Sequence, residues 1–237
     1  MSDDTCILIP SCDAFSDAHP PFMACMEKYW PYRHWPMRGL SEYGWGEHPL
    51  AVGDDMGWCN NLIHGLEQID EDYVLMFLED MFICEPPDQA ALNKAAMLVR
   101  DVDVGAIRVG PGAEECEATD DPGVGRMFRS SNYRIGTSPT IWSKEFLLFV
   151  LRGPRINTAW DFEIVGTKQS VAPSGKAILK MTQMPPPVQV LYTAITRGRW
   201  EEGALNWLRR VDIEVETDRP VKGYEVGQRW PKVESDE

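Results

Sequence analysis

Six consecutive apolar residues, Tyr73 to Leu78, run directly into the carboxylates of Glu79 and Asp80. A short apolar run of this length predicts a strand that is buried on both faces of a sheet. Two carboxylates at its end are costly to bury unless they meet water, a cation or a ligand. The chain must therefore fold so that this strand is central while the residues that follow it reach solvent or a binding site.

Apolar runs alternate with amphipathic stretches along the rest of the chain. Residues 6–9 and 104–109 predict further buried strands, and apolar residues at helical spacing follow Asp55 and Asp88. This alternation predicts an α/β fold in which a mostly parallel sheet is flanked by helices in a single domain. Weaker patterns predict strands at 35–40 and 133–142 and helices at 22–30, at 143–152, from 160 onward and at 200–210.

Two segments lack apolar periodicity. Residues 110–126 are rich in Gly, Glu and Asp, and we expect them to form a mobile loop of the length that usually indicates function or disorder. The end of the chain is polar. We therefore expect one folded domain over residues 1–217 and a poorly ordered tail over residues 218–237.

The composition excludes several classes of function. The 237 residues carry 23 basic and 37 acidic side chains, a formal net charge of −14, so the surface repels the phosphate backbone of nucleic acids. No stretch reaches the roughly 18–20 apolar residues that a membrane span needs. The N-terminus is acidic where a signal peptide would be basic, which predicts a soluble cytoplasmic protein. The six cysteines lack paired spacing, so we expect reduced, structural thiols and no zinc site.

Several common catalytic motifs are absent or incomplete. Gly123-Val-Gly125 lacks the third glycine of a dinucleotide-binding turn. Ser174-Gly-Lys176 resembles the end of a phosphate-binding P-loop but lacks its first glycine and its final Ser or Thr. The chain has neither an H-E-x-x-H zinc motif nor a G-x-S-x-G nucleophile turn. The absence of these motifs counts against most hydrolase functions and against a nucleoside triphosphatase function.

Acidic residues stand at three equivalent points of the predicted α/β chain. Asp13 follows the first strand, Glu79 and Asp80 end the central strand, and Asp161 and Glu163 begin a later helix. Because ligands of open α/β sheets bind outside the carboxyl ends of the strands, these side chains are expected to converge there. A divalent cation that bridges a diphosphate uses one or two carboxylates, and it would supply the positive charge that the protein lacks.

Five blocks of sequence, in this order and spacing, resemble a GT-A-type nucleotide-sugar glycosyltransferase of the bacterial and viral glycosyltransferase-like family. The resemblance covers roughly residues 5 to 215 and implies a Rossmann-like sheet that binds a nucleoside diphosphate sugar. The blocks are Ile7-Leu-Ile-Pro-Ser-Cys-Asp13, Gly57-Trp-Cys-Asn-Asn61, Asp72-Tyr-Val-Leu-Met-Phe-Leu-Glu-Asp80, Trp160-Asp-Phe-Glu163 and Arg197-Gly-Arg-Trp200.

The resemblance implies roles for the acidic residues. Asp13 would contact the nucleobase or ribose of the donor. Asp80 would bind Mn²⁺ or Mg²⁺, and Glu79 would lie near the ribose or sugar. Asp161, with Glu163 as the alternative, would take the proton of an acceptor hydroxyl. The family's Asp-x-Asp site is replaced here by Glu79-Asp80-Met81.

The remaining predicted donor-binding residues are polar, aromatic or basic. Arg197 and Arg199 would approach the diphosphate from the C-terminal segment. Ser11 accompanies Asp13 after the first strand. Asp55 and Trp58 precede and begin a helix, where a capping role for the first and a core role for the second stay open.

These assignments lead to one expected function and two alternatives. We expect transfer of a sugar from a nucleoside diphosphate sugar to a glycan or other hydroxyl acceptor. A catalytically silent GT-A-like binding module is the first alternative, because the Glu79-Asp80 pair departs from the family pattern. A nucleotidyltransferase is the second, although the segment after the first strand is acidic and free of glycine. Asp161 also fits a capping box with Thr158, so a purely structural role stays open for it.

Overall fold

The structure is a computed structural model that describes residues 4–171, 175–191 and 193–223. The strands are β1 (Thr5–Pro10), β2 (Met37–Ser41), β3 (Leu50–Ala51), β4 (Tyr73–Met76), β5 (Val104–Arg108), β6 (Cys116–Ala118), β7 (Val124–Met127), β8 (Thr140–Ser143), β9 (Ala177–Met181), β10 (Ile195–Thr196), β11 (Arg199–Glu201) and β12 (Val221–Lys222). The helices are α1 (His19–Tyr29), α2 (Trp58–Gln68), α3 (Gln89–Leu98), α4 (Lys144–Leu151), α5 (Ala159–Gln169) and α6 (Glu202–Arg210), and a 3₁₀ segment spans Asp13–Ala18.

Nine strands form one sheet in the order β3-β2-β1-β4-β8-β5-β9-β7-β6. Strands β1 to β5 and β9 run in one direction, whereas β8, inserted between β4 and β5, and β7, beside β9, run in the other. Strands β10, β11 and β12 form a separate small sheet. The predicted fold class, a mostly parallel sheet flanked by helices in a single domain, is confirmed.

Helices cover both faces of the large sheet. Side chains that alternate along each strand separate into two apolar clusters, one packed against α1, α3 and α6 and the other against α2, α4 and α5. Along β1, for example, Ile7 and Ile9 belong to the first cluster and Leu8 to the second. Among the described residues, no helix is both long enough and apolar enough to cross a membrane. The six cysteines are free thiols.

The segment predicted as a mobile loop, residues 110–126, is instead largely an edge hairpin. Strands β6 and β7 pair with each other, and β7 pairs with β9. Lys94 on α3 holds the turn of this hairpin through an ion pair with Asp121, Nζ to Oδ1 2.5 Å. Pairing with a distant strand, rather than local periodicity, orders this segment.

Three other boundaries differ from the sequence prediction. Strand β8 keeps only the last part of the predicted 133–142 strand, and β4 ends two residues before the predicted end at Leu78. Residues 218–223 of the predicted tail include strand β12, which pairs with β11. Residues 224–237 of that tail lie outside the described residues.

Candidate functional site

The carboxyl ends of β1, β2 and β4 lie side by side, and a polar side chain follows each of them. The residues are Ser11 after β1, Glu42 after β2 and Glu79 shortly after β4. The backbone N–H of Ser11 donates to the carbonyl oxygen of Leu40 at 2.9 Å, which continues the pairing of β1 with β2 past the strand end. The topology therefore gathers acids and a hydroxyl at one edge of the sheet.

Glu79 and Asp80 form a buried turn after β4, with only 8% and 7% of their surfaces exposed. The segment before β10 holds this turn: Ala194 N–H donates to the Asp80 carbonyl at 2.9 Å, and Ile195 N–H donates to Asp80 Oδ2 at 3.3 Å. Among the described residues, neither carboxylate forms an ion pair. The turn therefore presents two adjacent buried acids with no ion pair from the described part of the chain.

Burial raises the pKa of both acids above their ordinary values. Desolvation is the main cause for each, and the charge of Asp80 raises the pKa of Glu79 further. The hydrogen bond from Ile195 N–H to Asp80 Oδ2, 3.3 Å long, opposes this effect at Asp80 without cancelling it. Nearby positive charge would lower both pKa values, so the pair is poised to gain from a cation.

A neutral histidine lines the same strand end. Ser11 Oγ and His19 Nε2 are 2.8 Å apart, and the imidazole stacks on the Trp45 indole with ring centroids 4.1 Å apart and an interplanar angle of 6°. Burial lowers the pKa of His19 to about 4, although Asp13 and Asp17 oppose the shift. The imidazole is therefore uncharged at neutral pH and fixes the hydroxyl of Ser11 by a neutral hydrogen bond.

Asp13 begins the 3₁₀ segment and is tied to a residue that the sequence did not single out. Its backbone N–H donates to Glu42 Oε2 at 2.5 Å. Glu42 follows β2 directly, so the rule that selected Asp13 and Glu79 would have selected it too, had the end of β2 been placed correctly. The sequence missed it because the predicted strand at 35–40 was weak.

A second acid, Asp17, fastens the C-terminal segment over the end of β1. Its Oδ2 accepts from Trp200 Nε1 at 2.8 Å, from Thr217 Oγ1 at 2.6 Å and from Arg219 Nε at 3.0 Å, and its Oδ1 forms an ion pair with the Arg219 guanidinium at 2.8 Å. The guanidinium lies 4.4 Å above the Phe15 ring, and its charge also acts on Glu79. Arg219, which stands in the predicted tail, thus lowers the pKa of Glu79, against the effect of burial.

Asp55, Trp58 and Asp161 form a second group, where α2 and α5 begin. Asp55 Oδ1 accepts from Gly57 N–H and from Asn61 Nδ2, each at 2.8 Å, and so organises the start of α2. The Trp58 ring packs 5.5 Å from Phe162 on α5. Both helices begin at the carboxyl edge of the sheet, on the face opposite to α1.

Asp161 is the third residue of a complete capping box. Thr158 Oγ1 accepts from Asp161 N–H at 3.1 Å, and Asp161 Oδ2 accepts from Thr158 N–H at 3.0 Å and from its hydroxyl at 2.9 Å. These hydrogen bonds lower the pKa of Asp161. The structural role that the sequence left open for Asp161 is therefore present, and one of its two oxygens is occupied by it.

Glu163, Arg197 and Arg199 occupy separate places. Glu163 Oε1 accepts from Thr137 N–H at 3.1 Å and from Thr137 Oγ1 at 3.0 Å, and the side chain lines a cavity of about 470 Å³ with Tyr133. Arg197 and Arg199 are exposed on the β10–β11 hairpin, which begins at the residue that donates to Asp80. The hairpin connects the two arginines to the acidic turn through the backbone.

Capping by Thr158 and proton transfer at Asp161 can be separated by two substitutions. We expect Thr158→Ala to lower the free energy of unfolding by about 1 kcal/mol, because it removes the cap of α5. If Asp161 only caps, Asp161→Ala has the same effect as Thr158→Ala on the sugar transfer that the sequence predicts. If it also accepts a proton, Asp161→Ala lowers the transfer rate at least about 100-fold more. Urea unfolding and initial transfer rates on both variants make this comparison.

The sheet order and the acidic carboxyl edge define an α/β protein with a mostly parallel sheet and polar groups at one edge of it. No family model matches the sequence, and no curated protein matches it. Among solved structures, the chain is similar to residues 1–349 of S. aureus TarS, with 11% identity, a TM-score of 0.48 and coverage of 78% of this chain and 60% of that one. It is also similar to the bifunctional IspDF from Campylobacter jejuni, with 10% identity, a TM-score of 0.41 and coverage of 76% and 50%. The chain thus spans half to three-fifths of the solved chains that it matches, and the likeness is one of fold alone.

Proposed function

We propose that this protein is a glycosyltransferase that moves a sugar from a nucleoside diphosphate sugar to a hydroxyl acceptor. The observation that carries the proposal is the buried pair Glu79 and Asp80, which follows the central strand β4 and has no ion pair among the described residues. Structures rarely retain such a pair unless it has a ligand or a catalytic task. The crevice outside the carboxyl ends of the strands is also where open α/β sheets bind nucleotides.

The donor's nucleoside half fits the end of β1. Ser11 and Asp13 offer a hydroxyl and a carboxylate there, and Glu42 adds a second carboxylate 2.5 Å from the Asp13 amide nitrogen. Carboxylates and hydroxyls hydrogen-bond ribose hydroxyl groups, so we assign this end to the ribose or base. Glu79, buried at the neighbouring strand end, would face the ribose or the sugar. On the adjoining layer, Asp55 and Trp58 would border the donor from the start of α2.

The residues present fit a divalent cation that is shared with the diphosphate. Within the described ranges, no three His, Cys, Asp or Glu side chains are grouped to hold a metal by themselves. Mg²⁺ and Mn²⁺ sites completed by substrate phosphates need only one or two carboxylates, and Asp80 with Glu79 supplies them. When bound, such a cation would offset the charge of the departing diphosphate. Arg197 and Arg199, exposed on the hairpin beside Asp80, would contact the same phosphates.

The chemistry proposed for this chain is a direct displacement. The acceptor hydroxyl gives its proton to a carboxylate, its oxygen bonds to the anomeric carbon, and the bond from that carbon to the diphosphate oxygen breaks. Asp161 and Glu163 are the two candidate bases. Asp161 already accepts three hydrogen bonds at Oδ2, whereas Glu163 accepts two at Oε1 and lines a cavity of about 470 Å³ that could admit an acceptor.

Donor binding tests this proposal directly. We expect UDP- or GDP-sugars to bind in isothermal titration calorimetry, more tightly with Mn²⁺ than with EDTA, and to release nucleoside diphosphate slowly when no acceptor is present. The matching nucleoside monophosphate is the control, because it lacks the second phosphate that would share the cation. Absence of binding for every nucleotide sugar, with and without Mn²⁺, would contradict the proposal.

A catalytically silent binding module is the second candidate. It is favoured by the Glu79-Asp80-Met81 sequence and by the engagement of Asp161 in its capping box. Donor binding without any release of nucleoside diphosphate would support this candidate over the first.

A nucleotidyltransferase would instead release pyrophosphate from a nucleoside triphosphate. Its usual glycine-rich basic loop is replaced here by Ser11-Cys12-Asp13. A cytoplasmic location remains a prediction.

A further inference from the structure

A cavity of about 610 Å³ opens at the edge of the sheet opposite to Glu79 and Asp80. Strands β5 and β9 begin at this amino edge, and the antiparallel strand β7 ends there. The cavity is lined by residues that precede or end these three strands, among them Asp103, Met127 and Lys176. It is therefore separated from the candidate transfer site by the length of the strands.

The lining of this cavity is basic although the protein as a whole carries a net charge of −14. Among the described residues, four cations line it against two acids, Asp103 and Glu117. One acid is weakly engaged: Glu117 lies 4.0 Å from a guanidinium across the β6–β7 hairpin, and both side chains are more than half exposed. The four cations are Arg126, Arg129, Arg134 and Lys176.

Arg134 is a buried charge with no counter-charge among the described residues. Only 3% of it is exposed, and its hydrogen bonds end on uncharged oxygens: the Ser170 carbonyl at 3.1 Å, Ser170 Oγ at 2.7 Å and the Lys176 carbonyl at 3.4 Å. Its Nε is buried and has no hydrogen-bond partner. Burial and then the like charge of Arg129 lower the pKa of Arg134 to about 10, so it is still cationic at neutral pH. A buried cation of this kind is costly unless an anion joins it.

We propose that this cavity is a binding site for a phosphoryl group, on a phosphate monoester or as inorganic phosphate. Arg134 forms its floor, and Arg129 and Lys176 stand at its mouth. Arginine suits the planar, bidentate recognition of phosphate oxygens, and lysine adds a mobile point charge.

The two mouth residues are free to reach an anion. Arg129 is exposed and makes one long hydrogen bond, 3.4 Å, to the Val171 carbonyl. Lys176 pairs with Glu145 at 3.2 Å, but that carboxylate is 84% exposed, so solvent weakens the pair. Gly175-Lys176, which resembled the end of a P-loop in sequence, thus borders a basic cavity without forming a P-loop.

Calorimetric titration of the full chain with inorganic phosphate and with phenyl phosphate tests the site. We expect binding of at least one of them, weakened as NaCl is raised, since the site is electrostatic. Tighter binding of phenyl phosphate supports a monoester, and tighter binding of the free ion supports inorganic phosphate. Failure of both to bind at low ionic strength overturns the proposal.

Substitutions of the exposed Arg129 and the half-buried Lys176 test where the anion binds. We expect Arg129→Gln and Lys176→Gln each to weaken phosphate binding about tenfold, the usual consequence of losing one charge-assisted contact. Arg209→Gln, an exposed change on α6, should leave the affinity as it is. Equal affinities of Arg129→Gln, Lys176→Gln and wild type would overturn the assignment. Asp80→Asn should keep phosphate binding. Failure of the phosphate-site proposal can therefore be distinguished from failure of the proposed transfer function.

Discussion

Asp80→Asn is expected to lower the rate of sugar transfer by about 10²–10³-fold, the scale on which enzymes lose activity when one charge-stabilising group is removed. Asparagine keeps the size of the side chain and an oxygen that can accept from Ile195 N–H, 3.3 Å away in the wild type. It removes the negative charge that would hold a cation on the donor's diphosphate. The measurement is release of nucleoside diphosphate at saturating donor, with Mn²⁺ varied from zero upward.

The folded state of this variant should be intact, because the lost charge is one that folding disfavours. The pKa of Glu79 and that of Asp80 are raised by burial from ordinary values of 4.5 and 3.8, so the folded protein binds these protons more tightly than the unfolded chain. This contribution to stability is full at pH values below 3.8 and is lost as the pH rises above the ordinary values. Removing one of the two acids should therefore leave the free energy of unfolding at pH 8 equal to or above that of wild type.

A matched substitution distinguishes the effect of losing the Asp80 carboxylate from the effect of changing the net charge of the protein by one unit. Asp70→Asn removes one charge from an exposed position before β4 and should change neither transfer nor Mn²⁺ dependence. If Asp80→Asn folds as stably as expected and still transfers sugar at the wild-type rate, the assignment of Asp80 to the cation is wrong.

The sequence was most informative where structure is set locally. The run from Tyr73 into Glu79 predicts both the central strand and its acidic end, because an unbroken apolar run is typical of a strand covered on both faces. The start of α2 at Trp58 and the capping box at Thr158 follow from patterns within a few residues of each. These elements needed no knowledge of distant parts of the chain.

The edge of the sheet could not be predicted in this way. Strand β7 receives its hydrogen bonds from β9, more than 50 residues later, and neither strand shows a strong apolar alternation. Strand β12 is only two residues long and pairs with β11 across the whole of α6. Pairing of this kind depends on three-dimensional proximity, so the sequence favoured a loop and a tail instead.

The residues of the candidate site also divide into those that a local sequence rule predicts and those that only the folded chain brings together. Ser11, Asp13 and Glu79 follow from the rule that ligands bind beyond strand ends. The cluster around Asp17 does not, because Arg219 is separated from it by about 200 residues. No local pattern links an acid near the N-terminus with an arginine beyond α6, and only the folded chain brings them together.

Asp17→Ala should lower the free energy of unfolding by about 2–4 kcal/mol at pH 7, because one buried and two half-buried donors lose their acceptor together. The Trp200 indole N–H and the Thr217 hydroxyl both donate to this carboxylate, and the Arg219 guanidinium would be left without its ion pair. The loss should also loosen the segment that covers the end of β1, so donor affinity should fall with stability. Urea unfolding measures the first effect and calorimetric donor titration the second.

The pH dependence of this loss identifies the carboxylate as its cause. Burial alone would raise the pKa of Asp17, but hydrogen bonds from Arg219, Thr217 and Trp200 lower it to about 2. A lowered folded-state pKa stabilises the protein above the ordinary value of 3.8, and this contribution is lost as the pH falls from there toward 2. The difference between wild type and Asp17→Ala should therefore shrink across that interval. Asp218→Ala, an exposed change in the same segment, should alter stability by no more than about 0.5 kcal/mol at either pH. Equal losses for the two variants would show that Asp17 does not fasten the C-terminal segment to the end of β1.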